Sequence, residues 1–173
     1  MNVSTTAINA ALLILRVTLG LTLAAHGYNK FFGGGKIPGT ARWFDSMGMR
    51  PGKFHAVLAA STELGAGLLF AAGFLTPLAA AGFVAMMTVA AYTVNLENGF
   101  FIVNHGIEYN IVLAVVPACL AGIGPGKWSV DRWLGWDDNL TGWAGMGIAF
   151  GVGIVSAVGL MLIFYRPPAK TPG

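Results

Sequence analysis

Charge is the scarcest feature of this chain. Asp, Glu, Lys and Arg together make up 10% of its 173 residues, against about 25% in a soluble globular domain. So few charges cannot cover a water-facing surface, which excludes an ordinary soluble protein, a disordered chain and a coiled coil. The one cysteine, Cys119, excludes an internal disulfide, a CxxC redox pair and a Cys-rich zinc site. The ten Lys and Arg are scattered and the net charge is only +3, so the basic footprint of a nucleic-acid binder is missing. No basic stretch precedes the first apolar run, and Arg16 interrupts that run. The amino terminus therefore reads as a retained span, not a cleaved signal. The ~10-residue alternating strands of a membrane β-barrel are also lacking.

What remains is apolar. Hydrophobic residues make up 55% of the chain, and the mean hydropathy is +0.69. Five apolar runs stand out, at 8–32, 56–75, 78–94, 107–123 and 143–165. Each approaches the ~17–25 residues of a spanning helix, and spans must be helical because hydrocarbon offers the backbone no partners. The expected class is all-α: an integral membrane four-helix bundle with a fifth, carboxyl-terminal transmembrane helix. Residues 1–135 would form the bundle, and 136–173 the glycine-rich fifth helix and a short tail.

The connections carry their own signals. Between the first two runs lie Gly33-Gly34-Gly35, Pro38, Pro51 and Gly52, with Trp43, Phe44 and Met47 at helical spacing, which predicts a short interfacial helix. Phe74-Leu75-Thr76-Pro77 is a tight turn, and Arg166-Pro167-Pro168 stops the last helix. Five spans put the first and third loops and the tail on one face. That face collects Lys30, Lys36, Arg42, Arg50, Lys53, Arg166 and Lys170, and the other Lys127 and Arg132, so the first-loop face is expected to be cytoplasmic.

Several polar residues lie where a bilayer should not tolerate them. Arg16 falls inside the first span, at a cost of about 2.5–3.5 kcal/mol on insertion scales. Arg16, Leu19, Leu23, His26 and Lys30 form one helical stripe, bordered by Gly20 and Gly27. Glu63 lies in the second, antiparallel span, and pairing with Arg16 or His26 is expected. His26, His55 and His105 all fall toward the first-loop face, with Lys30, Asn95, Glu97, Asn104, Glu108 and Asn110. The spacing predicts a polar cavity opening on that face, built from His26, Lys30, Glu63, Glu108 and Asn110, with Arg16 at its floor. The simpler alternative is interfacial side chains facing headgroups. His105 and Glu108 stand at i and i+3, but one copy does not complete a carboxylate-bridged metal site, and no metal is expected. Gly33-Gly34-Gly35-Lys36 lacks phosphate-loop spacing. Cys119 is expected to be a buried packing residue. In the last run, Gly147-x-x-x-Gly151 matches a small-residue helix-association motif, predicting contact with another subunit.

Arg16, His26-Gly27-x-x-Lys30, Glu63-Leu64-Gly65-Ala66-Gly67, Gly106-Ile107-Glu108-Tyr109-Asn110 and Gly124-Pro125-Gly126-Lys127-Trp128-Ser129-Val130-Asp131 together resemble the DoxX family of small bacterial membrane proteins, over roughly residues 10–135. The resemblance implies a four-helix bundle in the bacterial plasma membrane. Some relatives serve thiosulfate:quinone or terminal quinol oxidation systems, and others membrane complexes that handle oxidative and thiol stress. The fifth span departs from that pattern. Four-span relatives with both termini inside would place the first loop outside, against the charge count. The expected function is an accessory subunit of a quinone-linked oxidoreductase, with Arg16, His26 and Glu63 as reacting groups and His26, Lys30, Glu108 and Asn110 holding a non-covalent quinone. A non-catalytic scaffold subunit and a proton-coupled transporter are the alternatives. No redox cofactor motif is visible, so electrons would come from a partner.

Overall fold

Breakers and apolar runs divide the described residues into seven α-helices. The computed structural model describes residues 4–167; Pro168 and Lys170 lie outside the described residues. In chain order the helices are α1 (Thr5–Phe32), α2 (Lys36–Ser46), α3 (Gly52–Ala72), α4 (Thr76–Ala90), α5 (Glu108–Ile123), α6 (Val130–Trp133) and α7 (Gly142–Phe164). No strand occurs among the described residues beyond an isolated bridge between Met49 and Tyr165. The end of α4 winds on through a π turn, Ala91–Asn95, and a 3-10 turn, Leu96–Asn98. Among the described residues, four helices are long and apolar enough to cross a membrane: α1, α3, α4 with its extension, and α7. The protein is an integral membrane helical bundle. Helix α5 has 16 residues, about 24 Å at 1.5 Å per residue, and falls short of the ~30 Å hydrocarbon core.

The turn between α3 and α4 is built from backbone that only certain residues adopt readily. Gly73 ends α3 at φ 65°, Leu75 follows in the same left-handed region at φ 48°, and Pro77 sits in the first turn of α4. A proline there removes only an amide that the helix would leave unpaired.

Small residues set the packing. A Cβ on Gly20 would collide with the backbone of Gly67 and Ala71, and one on Gly27 with the backbone of Ala60 and Leu64. Helices α1 and α3 therefore touch backbone to backbone. Helix α7 lies along α4 and α5 through Gly145, Ala149, Gly153 and Ala157, all buried. That stripe is offset by two residues from Gly147 and Gly151, whose surroundings are open. The glycines read as an association motif thus sit beside the stripe that closes this chain's own bundle. Outward side chains such as Val155 and Leu162 are 72% and 74% exposed, as lipid contact demands.

Helix α2 lies across one end of the bundle, with Ala41 and Phe44 buried and Trp43 half exposed, as an interfacial helix should. Cys119 is exposed on α5, not buried as expected. Beyond Asn110 every face of that helix is apolar, so the sequence around Cys119 does not mark which one packs.

Candidate functional site

The intramembrane charges resolve into two separate arrangements. On the first-loop half, Lys30 Nζ donates to Glu63 Oε2 at 2.5 Å. Glu63 is 5% exposed, and the charges of Lys30 and His26 both act on it. Placement follows from the glycine contacts: Gly27 beside Ala60 and Leu64 puts Glu63 level with His26, one turn above Lys30. His26 is itself on the exposed side of α1.

Arg16 belongs to the opposite end. Its Nη2 donates to the Trp128 carbonyl at 2.6 Å, and the Asp131 charge acts on it. Its Nη1 lies against Gly73, where a Cβ would overlap it. Nε and Nη1 are buried without a hydrogen-bond partner. The expected Arg16–Glu63 pair does not form, and Arg16 is not the floor of a cavity holding Glu63. Arg16 lies about ten residues from the level of Glu63, or ~15 Å along the axis. Helix α1 is 28 residues long and α3 only 21, so the middle of α1 lies near the end of the bundle.

That end is closed by the segment after α5. Asp131, 1% exposed, accepts from the Leu75 and Thr76 amides at 2.8 and 2.9 Å and from Thr76 Oγ1 at 2.6 Å. It thereby satisfies amides that the start of α4 leaves unpaired. Asp131 N donates to the Gly73 carbonyl at 2.9 Å, and Lys127 N donates to Asn9 Oδ1 at 2.7 Å. Helix α1, the α3–α4 turn and the segment around α6 are locked together here.

The rest of the expected polar cavity disperses. Glu108 Oε2 accepts from Ile102 N at 2.9 Å, and the His105 carbonyl accepts from Asn95 and Asn98. These residues close the loop between α4 and α5. Asn110 is buried, with only a 3.9 Å contact to Met87 Sδ, in a groove of about 300 Å³ between α4 and α5. Of the five residues expected to build the cavity, only His26, Lys30 and Glu63 come together.

A larger cavity of about 310 Å³ lies elsewhere, between α3, α4 and α7. His55 stands in its wall, 1% exposed, with Phe54 and Phe164 edge-on at 5.1 and 5.0 Å and Phe44 at 6.1 Å. Neither ring nitrogen has a hydrogen-bond partner. The Arg50 backbone and the Asp45 carboxylate also act on the ring, without meeting hydrogen-bond geometry.

The family model described as DoxX matches residues 11–96. Those residues are a DoxX domain. No curated protein and no solved structure matches the chain. The DoxX domain takes in most of α1 and all of α2 to α4, and with them Arg16, His26, Lys30, His55 and Glu63. Glu108, Asn110, Asp131 and all of α7 lie beyond it.

Two of these residues escaped the sequence reading as functional groups. Asp131 was visible only as a member of a loop motif; the buried Arg16 called for a carboxylate, but not for one 115 positions away. His55 was placed on the correct face, yet nothing in its neighbours marks it as the polar group of an apolar cavity. Among the described residues, no group of three or more His, Cys, Asp or Glu could hold a metal ion.

Proposed function

We propose that this DoxX protein is a plasma-membrane accessory subunit of a quinone-linked oxidoreductase, with Glu63 and Lys30 as its proton-handling pair. The observation that carries this reading is the Lys30–Glu63 contact among apolar helices. Ionisable groups at such depth are expensive and tend to mark functional pathways. The pair is not sealed: Lys30 retains 19% side-chain exposure against 6% for Glu63. A flexible lysine stem can swing away, leaving a carboxylate able to take up a proton. A quinone, when bound, supplies paired proton and electron transfer. Electrons reach it from a partner subunit, and the open face of α7 around Gly147 and Gly151 offers that partner a close helix approach.

A scaffold role is the second reading. What favours it is Arg16, whose charge is spent on holding α1 against the α6 segment. The two readings separate on Glu63→Gln, which keeps shape and removes charge. The expected result is normal complex abundance with quinone-linked turnover reduced at least tenfold. Full turnover would leave the scaffold reading standing.

A further inference from the structure

We propose that the cavity between α3, α4 and α7 binds an uncharged amphiphile with a planar, hydrogen-bonding ring, held by His55 and entered from the bilayer. Its volume of about 310 Å³ is at the lower end of small-molecule sites, about 300–1,000 Å³. That space suits a single ring and the first part of a tail.

His55 supplies the first argument. A buried polar group without a partner is costly, and native proteins nearly always satisfy it with protein, water or ligand. Here both ring nitrogens are unsatisfied in the wall of the cavity. A neutral imidazole offers one donor and one acceptor. It can donate to a ring carbonyl and accept from a ring hydroxyl, so oxidised and reduced forms of the same ring both fit.

The remaining lining decides the class of ligand. None of the residues around the cavity is Asp, Glu, Lys or Arg, so a phosphate or carboxylate head would be buried without a countercharge. Phe44 flanks both the cavity and the imidazole, providing an aromatic surface for a flat ring. Leu58, Leu78 and Val152 line the cavity and are 38%, 51% and 45% exposed on the outside of the bundle. The mouth therefore opens toward acyl chains. The site is distinct from the Lys30–Glu63 pair: on α3, His55, Leu58, Ala59 and Thr62 face the cavity, whereas Ala60, Leu64 and Gly67 face α1.

Naming the ring as a quinone rests on the function proposed above. The test uses the full chain in phosphatidylcholine nanodiscs, with decylubiquinone and decanoic acid as probes. Decylubiquinone should bind saturably and decanoic acid should not. His55→Phe, which keeps a ring and removes its nitrogens, should weaken quinone binding about tenfold, the worth of one hydrogen bond. Ser156→Leu, at an exposed position on the cavity wall, should weaken it at least as much without touching His55, and stands in if the histidine variant does not fold. Arg132→Ala, at an exposed ion pair away from the cavity, should change binding less than threefold. Saturable quinone binding with the same Kd in both cavity variants would overturn the site and leave the quinone-linked reading intact. No quinone binding at all would overturn both. Equal binding of decanoic acid would overturn the recognition of an uncharged ring.

Discussion

Helix α1 carries two cations among apolar neighbours, and the protein treats them in opposite ways. Arg16 is 2% exposed, gives one hydrogen bond to a backbone carbonyl, and has its countercharge on a residue three hydrogen bonds already hold in place. Lys30 meets a carboxylate directly and keeps part of its side chain open. A guanidinium cannot give up its proton and presents a planar set of donors, whereas an ammonium on a flexible stem is a movable point charge. The arginine end is built to stay shut; the lysine end can exchange partners. Depth in a membrane alone does not separate the two charges; the nature of the partner does.

The comparison breaks most severely at Asp131. Asp131→Ala removes the acceptor for the Leu75 and Thr76 amides and for Thr76 Oγ1, and deprives Arg16 of its countercharge. The expected loss is about 3–5 kcal/mol, read as a collapse of folded yield in detergent and a large fall in Tm. A variant with wild-type Tm would mean that the α6 segment does not hold this end.

Next is a double-mutant cycle that sets the two cations against one carboxylate. Lys30→Met and Glu63→Gln should couple by about 1 kcal/mol, because they share a direct bond. Arg16→Leu and Glu63→Gln should be additive to within about 0.5 kcal/mol, since they have no common partner. Coupling of Arg16 with Glu63 equal to that of Lys30 would dissolve the distinction between the ends.

The smallest effect belongs to the neighbour of Asp131. Arg132 pairs with Asp137 at 2.8 Å, and that contact raises its pKa, but it stands exposed on the short α6. Arg132→Ala should leave Tm unchanged, because exposed ion pairs contribute little. A clear drop would extend the structural network to the loop surface.

The spans were legible because apolar runs and Gly/Pro breakers are local signals. Helix α1 was expected over 8–32 and occupies Thr5–Phe32, and the last run, 143–165, becomes Gly142–Phe164. The short α2 was legible from Trp43 and Phe44. Register between helices was not. Sequence pattern offered Arg16 or His26 as the partner of Glu63, but register is set by contacts such as Gly20 with Gly67, and these depend on three-dimensional fit. Glu108 and Asn95 drew attention as polar residues near a span, whereas their hydrogen bonds go to the backbone of their own loop. Backbone demands of that kind leave no pattern in a sequence.

The bridge between Met49 and Tyr165 ties the first connection of the chain to its last helix. Arg166 N donates to the Gly48 carbonyl at 2.8 Å, and Arg50 N reaches the Phe164 carbonyl at 3.5 Å. Translation separates these partners: at about 5–20 residues per second, the ribosome needs on the order of ten seconds to pass from one to the other. Throughout that interval Met49 has no bridge partner, and His55 and Met49 face a wall that has not yet been made. Helix α7 supplies Val152, Ser156, Ala157 and Leu160 to the cavity, so the pocket cannot exist on the nascent chain. The site proposed above is thus complete only once α7 has entered the membrane, and a chain released before then would be inserted yet lack one wall of it.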